Sequence, residues 1–237
     1  MLLERKIYRH FREAVEEFAL IEPNDRILIG LSGGKDSLAL LDFLVKWRYA
    51  TKTKVEFWAI HIRVEGVDYL TDEQYLKDFC SRLGVPYSSK TIAYAKDSDE
   101  RRTPCFLCSW NRRKALFETA QGFGCNKIAL GHHQDDVLQT ALMNLSFNGT
   151  FSTMPALLRM RKMPLSIIRP LCNVPEQFLV EWAKLQEYQP LLKVCPYDTA
   201  SKRQEAKALM DSFKNFSPEY RSSIWNALKK DGKLVEM

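Results

Sequence analysis

The stretch Arg26–Ser37, RILIGLSGGKDS, decides the fold class of this 237-residue chain. It begins with a mostly apolar run that predicts a short buried strand, and the apolar run Leu38–Val45 that follows it predicts a helix. A polar, glycine-containing loop between a strand and a helix is a common phosphate-binding arrangement, because the N–H groups of the new helix point at the anion. The chain is therefore expected to contain an α/β domain whose first strand ends at this loop.

The loop supplies the groups that a phosphate site needs, in Ser32, Gly33, Gly34, Lys35, Asp36 and Ser37. The glycines permit positive φ and a close backbone approach, the serines add hydroxyl donors, and Lys35 adds a positive charge. Asp36 would repel a phosphate, so it is expected to hold Mg²⁺. The spacing is neither that of a Walker A loop nor GxGxxG. A turn that merely caps a helix is the alternative, which the flanking strand and helix disfavour.

Strands and helices are predicted to alternate on both sides of this loop. Further strands are expected at 55–62, 86–92, 127–131 and 166–169, and helices at 71–83, 104–121 and 135–145. An amphipathic helix precedes the first strand, and the chain becomes helical after Pro175. This alternation predicts an α/β fold with a doubly wound, mostly parallel sheet. The predicted units are an N-terminal helix at 1–25, a nucleotide-binding domain at 26–175 and a helical segment at 176–237.

A second polar loop, LGHHQDD, follows the predicted strand at 127–131. Because parallel strands end at one edge of a sheet, this loop is expected to meet the first loop over one ligand. Gly131 and His132 are expected to touch the nucleotide, and either His132 or His133 to contact phosphate or transfer a proton. Of the two acids at the helix start, one is expected to bind Mg²⁺ and the other to cap the helix, with Asp136 assigned to the metal and Asp135 left for the cap.

Three of the six cysteines stand in settings that suggest chemistry. Cys105 and Cys108 are one helical turn apart at a predicted helix start, and Cys195 stands alone in VCPYD. Nearby arginines and the helix N-terminus favour thiolates, which suit an iron–sulfur cluster, zinc or redox chemistry. The residues alone leave these three open, together with incidental burial. Cys80, Cys125 and Cys172 lie in or beside apolar stretches and are expected in the core.

Composition agrees with a globular protein, since 46% of the residues are hydrophobic and 27% are charged. No apolar run is long enough to span a bilayer, and the charged N-terminus does not have the pattern of a signal peptide, so a cytoplasmic location without membrane contact is expected. The net charge of +6 is compatible with RNA binding. Candidate RNA contacts, which could equally form a solvated face, are Phe106, Trp110, Arg101, Arg102, Arg112, Arg113, Arg159, Arg161, Lys162, Lys202 and Arg203. Of these, Arg101–Arg102 and Arg159–Lys162 are expected to flank the catalytic edge.

The motifs together resemble those of a known family. SGGKDS, PCFLCSWNRRKALF, LGHHQDDVLQTALMN, IIRPL and the late Cys195 stand in the order found in tRNA 2-thiocytidine biosynthesis proteins. The similarity runs from about Phe18 to about Phe213. SGGKDS alone is typical of the wider group of PP-loop ATP pyrophosphatases. The chain departs from the family pattern after the second strand, in HIRVEGVDY, and CPYD lacks a second nearby cysteine.

The resemblance implies an adenine nucleotide alpha hydrolase-like fold, with ATP and Mg²⁺ at the PP-loop and a [4Fe-4S] cluster. Cys105, Cys108 and Cys195 would hold the cluster, Asp36 and Asp136 the magnesium, and His61 would join the nucleotide contacts. Lys35, Asp36, Cys105 and Cys195 would be catalytic. The implied reaction adenylates the 2-oxygen of an anticodon-loop cytidine and replaces it with sulfur. Implied partners are tRNA, a cysteine desulfurase or other sulfur donor, and a second copy of the chain in a homodimer.

Three other functions are compatible with parts of this pattern. The first is another PP-loop reaction, such as thiolation of a different tRNA base or a small molecule, or a non-sulfur adenylation, amidation or lysidine-type modification. The non-sulfur reactions do not need the cysteines. The second is a redox or metal-binding module in which the nucleotide loop only regulates, which the joint presence of Lys35, Asp36 and Asp136 disfavours. The third is an ATP-binding protein with incidental cysteines.

Overall fold

A computed structural model of the chain describes residues 2–69, 73–93, 104–189, 193–194 and 202–236. Its helices are α1 (Leu2–Glu17), α2 (Lys35–Thr51), α3 (Gln74–Arg82), α4 (Pro104–Gly122), α5 (Gln134–Asn148), α6 (Glu176–Leu185), α7 (Lys202–Phe216) and α8 (Tyr220–Lys230). Its strands are β1 (Arg26–Gly30), β2 (Glu56–Val64), β3 (Asp68–Tyr69), β4 (Tyr87–Ile92), β5 (Lys127–Ala129), β6 (Leu157–Arg159), β7 (Ser166–Ile168), β8 (Lys193–Val194) and β9 (Val235–Glu236).

The strands form a seven-stranded sheet in the order β4-β2-β1-β5-β7-β6-β9. Five of them, from β4 to β7 in that order, are mutually parallel. The predicted mostly parallel α/β sheet is thereby confirmed. Because β1 and β5 are adjacent, the loops that follow them leave the sheet side by side at its carboxyl edge.

Four short strands were not anticipated by the sequence pattern. β3 pairs with β8 in a separate ribbon, while β6 and β9 extend the main sheet beyond β7. Each is only two or three residues long, which is too short for an alternating pattern to be recognised.

The β6–β7 hairpin corrects one expectation about the basic residues. β6 is antiparallel to β7, and Arg159 pairs with Ser166, the first residue of β7. The basic run Arg159–Lys162 therefore lies at the amino edge of the sheet, not beside the catalytic edge as expected.

Two apolar cores cover the two faces of the sheet. The larger one joins the sheet to side chains of α1, α2, α6 and α8, and it includes Cys80 and Cys172. The smaller one lies beneath α4 and includes Cys125. The burial predicted for these cysteines is confirmed, and it raises the pKa of the Cys80 and Cys172 thiols to about 12. Among the helices that the structure describes, none is both long and apolar enough to cross a membrane.

A buried polar cluster fastens β5 to the segment before β1 at the amino edge. Lys127 Nζ lies 2.7 Å from Asp25 Oδ2 and donates to the carbonyl of Leu20. The other oxygen of Asp25 accepts from the amide of Asn126, whose side-chain oxygen accepts from the N–H of Arg26. The side chains of Lys127 and Asp25 are 7% and 4% exposed. This cluster fixes the register of β1 and β5 far from the two loops.

Candidate active site

The SGGKDS loop turns sharply between β1 and α2. Gly33 has φ of 87°, in the left-handed region that glycine adopts without strain. Gly34 is the N-cap of α2, and its N–H donates to Ser32 Oγ. Ser37 Oγ donates to the Gly34 carbonyl, and Ser32 Oγ donates to Ser37 Oγ. The side chains thus brace the loop, so that the first N–H groups of α2 face outward at the carboxyl edge, where they can receive an anion.

The loop after β5 packs directly on the start of α2. A Cβ atom on Gly131 would lie 3.0 Å from both the carbonyl carbon and oxygen of Asp36, and 3.1 Å from the nitrogen of Ser37. Nine in ten real Cβ contacts are longer than this, so any other residue would require the backbone of Asp36 to shift by a few tenths of an ångström. The two loops therefore touch through their backbones, as the sequence predicts.

A cavity of about 470 Å³ lies between the two loops. It is lined by residues of the first loop, the second loop and the C-terminal helices: Gly30, Ser32, Asp36, Ser37, Leu130, Gly131, His132, His133, Asp136, Gln139, Glu176 and Lys207. Its size is in the usual range for sites of small molecules and cofactors.

Four charged side chains form a chain beside this cavity; three of them, Asp36, Glu176 and Lys207, line it, and Lys35 is held next to it by Asp36 and Glu176. Lys35 Nζ lies 3.0 Å from Asp36 and 3.3 Å from Glu176 Oε1, and Lys207 lies 3.0 Å from Glu176 Oε2. Burial alone would lower the pKa of Lys35, but Asp36 and Glu176 outweigh it and the pKa is raised. Burial raises the pKa of Glu176, but the neighbouring cations outweigh this effect, so its pKa is lowered. Lys35 is therefore charged and paired with two carboxylates that line the cavity.

The carboxylates of Asp36 and Asp136 fit a divalent cation. Asp36 Oδ1 is buried and accepts no hydrogen bond from any described residue, although Lys35 Nζ is near. Burial raises the pKa of Asp36, and the charge of Asp136 contributes to the rise although Lys35 opposes it. A cation bound by the two carboxylates would offset both the cost of burying the Asp36 charge and its repulsion by Asp136. Mg²⁺ in nucleotide sites needs only one or two carboxylates plus phosphate oxygens.

The cap of α5 differs from the expected one. His133 is the N-cap residue; its Nδ1 accepts from the N–H of Asp136, and Asp136 Oδ2 accepts from the N–H of His133. The expectation that Asp135 caps the helix is corrected, because Asp136 makes the capping bond; the assignment of Asp136 to a metal stays a prediction. Asp135 instead accepts from the N–H of Glu176 and from Arg221, so it ties α6 and α8 to the site.

His132 is held in one tautomer by Arg169. Arg169 Nε donates to His132 Nδ1 at 3.2 Å, and its Nη1 donates to the carbonyl of Pro155. Because a guanidinium cannot accept, Nδ1 carries no proton and the ring proton is on Nε2. Burial lowers the pKa of Arg169 to about 10, which leaves it charged at neutral pH. His132 lines the cavity and can therefore present a fixed N–H donor there.

A second, more apolar cavity of about 230 Å³ adjoins the first. It lies between the ends of β1 and β2 and the face of α4, and is lined by Gly30, Leu31, Ser32, Ile60, Ile62, Arg112, Leu116 and Leu130. His61 is absent from both linings. It is fully buried, with Nδ1 2.8 Å from the carbonyl of Leu31, so its observed contact is with the first loop residue. Burial lowers its pKa. Its contact with a nucleotide stays a prediction.

Cys105 and Cys108 lie in the first turns of α4. Since α4 connects the parallel strands β4 and β5, it runs back across the sheet and begins at the carboxyl edge. Cys105 is exposed and Cys108 is half-buried. Cys195, Arg101 and Arg102 lie outside the described residues, as do the side chains of Lys202 and Arg203. Within the described residues no group of three or more His, Cys, Asp or Glu side chains is arranged around a metal.

Sequence reasoning missed several residues at this site. Gln139, Glu176 and Lys207 line the cavity, and Arg169 and Arg221 hold its histidine and aspartate. IIRPL was recognised as a motif, but the partner of its arginine was not. Glu176 follows Pro175 at a predicted helix start. An acid at that position is common for helix stability alone, so the sequence did not mark it as a site residue.

Comparison with known proteins places this fold and site in a class. A model of the PP-loop domain matches residues 3–190, so the site is that of a PP-loop protein. The chain is 33% identical over 233 residues to a tRNA-cytidine(32) 2-sulfurtransferase of Alkalilimnicola ehrlichii, covering 96% of this chain and 73% of the relative. It is 34% identical over 234 residues to the enzyme of the same name from Burkholderia lata, covering 96% and 70%.

A solved structure agrees with these relatives. The U34-tRNA thiolase NcsA from Methanococcus maripaludis, with its [4Fe-4S] cluster, superposes with a TM-score of 0.74 at 27% identity, over 96% of this chain and 79% of that one. The chain belongs to the tRNA-cytidine(32) 2-sulfurtransferase family of PP-loop proteins.

Proposed function

We propose that this chain is an ATP-dependent sulfurtransferase that replaces the 2-oxygen of a tRNA cytidine with sulfur. The observation that carries the proposal is the cavity at which the SGGKDS and LGHHQDD loops meet, in a chain whose relatives are named for this reaction. The cavity is lined by the phosphate loop and by the carboxylates of Asp36 and Asp136, and Lys35 adjoins it through Asp36 and Glu176, which suits adenylation.

The first loop receives the phosphates of ATP. The N–H groups at the start of α2 donate to them, the hydroxyl of Ser37 turns from the Gly34 carbonyl to donate to them, and Lys35 moves from Asp36 and Glu176 to the phosphate oxygens. Glu176 keeps Lys207 as its partner after this exchange, so no carboxylate is left alone. Asp36 and Asp136 would hold Mg²⁺, which neutralises the developing charge on the pyrophosphate. The apolar cavity beside Leu116 is suited to the nucleoside.

Adenylation is a displacement at the α-phosphorus. The cytidine 2-oxygen forms a bond to that phosphorus, and the bond from phosphorus to the bridging oxygen breaks, so that pyrophosphate leaves with the electron pair. Lys35 and the helix N-terminus stabilise the departing negative charge. His132, which lines the cavity, would contact an oxygen of the reacting phosphate. The base now carries its oxygen as part of AMP, which is a good leaving group.

Sulfur then replaces the activated oxygen. A nucleophile at the oxidation level of sulfide forms the carbon–sulfur bond at position 2, and the carbon–oxygen bond breaks as AMP departs. The step is balanced without an oxidant or reductant. A [4Fe-4S] cluster held by three thiolates would leave one iron that can bind the sulfur. Cys105 and Cys108 sit one turn apart at the carboxyl edge, which suits two of those thiolates, and Cys195 would be the third.

The finer parts of the proposal concern the surroundings of this reaction. We infer that Mg²⁺ accompanies ATP, that the sulfur derives from a cysteine desulfurase or another donor, and that the enzyme works in the cytoplasm as a homodimer. The division into units at 1–25, 26–175 and 176–237 is likewise an inference, although α1 and α8 share the core of the sheet.

The test is a reconstituted reaction with full-length protein purified and reconstituted without oxygen. Unmodified tRNA, ATP, Mg²⁺ and sulfide should yield 2-thiocytidine by nucleoside mass spectrometry, with one AMP and one pyrophosphate for each thionucleoside. Iron and acid-labile sulfide should fall in Cys105→Ala while ATP binding is retained. Thionucleoside formation by a protein without iron would overturn the cluster assignment, and AMP formation without any thionucleoside would overturn sulfur transfer.

A second candidate is thiolation of a tRNA uridine. The NcsA thiolase, which is named for U34, matches almost the whole chain in structure. The same nucleoside analysis separates the two, because the product would be a thiouridine and the cytidine content would be unchanged.

A further inference from the structure

The outer face of α4 carries an exposed aromatic ring beside cations. Trp110 is 49% exposed, and Lys114 Nζ lies 5.7 Å from its ring centroid. Phe106, one turn earlier, is 44% exposed. Arg113 and Lys114 are both exposed beside them. Large exposed aromatic rings are costly in water and commonly mark contact surfaces.

A groove of about 370 Å³ runs along this face and is separate from the catalytic cavity. Trp110, Phe117 and Met163 give it apolar walls, and Arg113 and Lys114 give it positive charge. Met163 belongs to the β6–β7 turn, so the groove spans from the first half of α4 to the amino edge of the sheet.

The charge of the groove is positive along its length. Its acid, Glu118, lies 2.9 Å from Lys90 and 3.9 Å from Lys114, so its charge is compensated. Arg161 and Lys162 are exposed immediately before Met163 at the far end. A partner for this groove should therefore be anionic and should offer flat apolar faces.

Two arginines lie between the groove and the active site. Arg113 is close enough to Arg169 for its charge to contribute to the lowered pKa of that residue. Arg169 in turn donates to His132, which lines the catalytic cavity. Trp110 lies in the half of α4 that starts at the carboxyl edge, so the groove begins on the side of the sheet edge where the catalytic cavity lies.

We propose that this groove binds a single-stranded segment of the RNA substrate next to the modified nucleotide, with one unstacked base lying on Trp110. Single-stranded RNA offers what the groove requires: a phosphate backbone for Arg113, Lys114 and the basic turn, and planar bases for the aromatic ring. The inference rests on the proposed function, because it places the RNA of that reaction.

The chain provides a matched control on the other face of the sheet, where α2 packs. Tyr49 is 68% exposed, and the guanidinium of Arg48 lies 5.2 Å from its ring centroid. It stands in the last turn of α2, which begins at the carboxyl edge and so ends at the amino edge. Tyr49 is therefore an exposed aromatic–cation pair like Trp110, but it lies outside both the cavity and the groove.

The experiment measures the affinity of the full chain for a labelled, unmodified tRNA transcript by fluorescence anisotropy. Trp110→Ala should weaken binding about 5- to 150-fold, the range for loss of one base stack, and Trp110→Phe should recover much of the loss. Tyr49→Ala should bind as the wild type does. Lys114→Gln should reduce the slope of log affinity against log salt by about one. Binding of a non-hydrolysable ATP analogue should be equal in all four variants.

The outcomes separate this inference from the proposed function. A wild-type chain that binds no tRNA would overturn the proposed function and this inference with it. Wild-type tRNA affinity that persists in Trp110→Ala, or that falls equally in Tyr49→Ala, would overturn the groove alone. Unchanged tRNA affinity in Trp110→Ala combined with slower transfer from a sulfur-donor protein would assign the groove to a protein partner instead.

Discussion

Two lysine–carboxylate clusters lie at opposite edges of the same pair of strands. At the amino edge, Lys127 and Asp25 are almost completely buried, at 7% and 4% side-chain exposure. At the carboxyl edge, Lys35 and Asp36 are each 27% exposed, and Asp36 lines a cavity of about 470 Å³. The residue types are the same, but one cluster is closed and the other is open.

The difference lies in how completely the polar atoms are satisfied. Both oxygens of Asp25 have partners, in Lys127, Asn126 and the N–H of Glu22. Asp36 has a buried oxygen without a hydrogen bond, and its pKa is raised by burial. A closed cluster of this kind stabilises the fold, whereas an open one holds its charges ready for a ligand at some cost to stability.

The same substitution at the two aspartates should have unequal effects on stability. Asp25→Asn leaves Lys127 buried without its main counter-charge and should lower the free energy of unfolding by about 3–5 kcal/mol. Asp36→Asn removes a carboxylate that is disfavoured in the folded state, so the change should stay within about 1 kcal/mol. Denaturant unfolding of both variants without nucleotide measures this difference.

Equal losses of stability in the two variants would contradict the distinction between a closed and an open cluster. Addition of Mg²⁺ and an ATP analogue provides the control, because it should stabilise the wild type and Asp25→Asn but have little effect on Asp36→Asn.

Substitution of Lys35 should affect catalysis much more than stability. Lys35→Ala should lower the rate of AMP formation by about 10²–10³-fold, as expected for removal of one charge-stabilising donor, with little change in stability. The exposed Lys54, at the amino edge, is the control, and Lys54→Ala should have the wild-type rate. Near-normal turnover by a folded Lys35→Ala protein would rule out its role at the phosphates.

Much of this arrangement could be predicted because it depends on local pattern. The apolar run of β1, the glycines and Lys35 sit within one short stretch, and Gly131 follows an equally clear strand. Parallel topology alone then brings the two loops to one edge.

The remaining site residues could not be predicted, because their positions depend on tertiary packing. Glu176 and Lys207 come from helices more than a hundred residues after the first loop, and only the packing of α6 and α7 shows that they face Lys35. The cap of α5 was missed for a different reason. A His-x-x-Asp pair can form a capping box, but the usual sequence signature has Ser or Thr followed by Glu or Gln.

The close contact of the two loops makes Gly131 a sharper test than the other site glycines. Gly131→Ala must displace the backbone of Asp36, and it should cost about 1–3 kcal/mol of stability and weaken ATP binding. Gly34→Ala is the matched variant, because its Cβ would meet only Ser32 Oγ at 3.5 Å and should cost less than about 1 kcal/mol. If Gly34→Ala were the more destabilising of the two, the loops would not be in the contact described.

The smallest expected effect concerns how Arg169 positions His132 in the catalytic cavity. Arg169→Lys keeps a cation in the site but removes the Nε–H that holds His132 Nδ1, so kcat should fall about tenfold with KM for ATP nearly unchanged. If Arg169 acts through His132, the double variant with His132→Gln should lose little more than His132→Gln alone, leaving a coupling energy of about 1 kcal/mol. Independent, additive losses would instead mean that Arg169 serves the fold through the carbonyl of Pro155. Lys127 in the amino-edge cluster provides the reference. Its side-chain polar contacts in the described part of the chain are with Leu20, Glu22 and Asp25, which do not line the cavity. Its substitution should therefore lower stability without a coupling energy to His132.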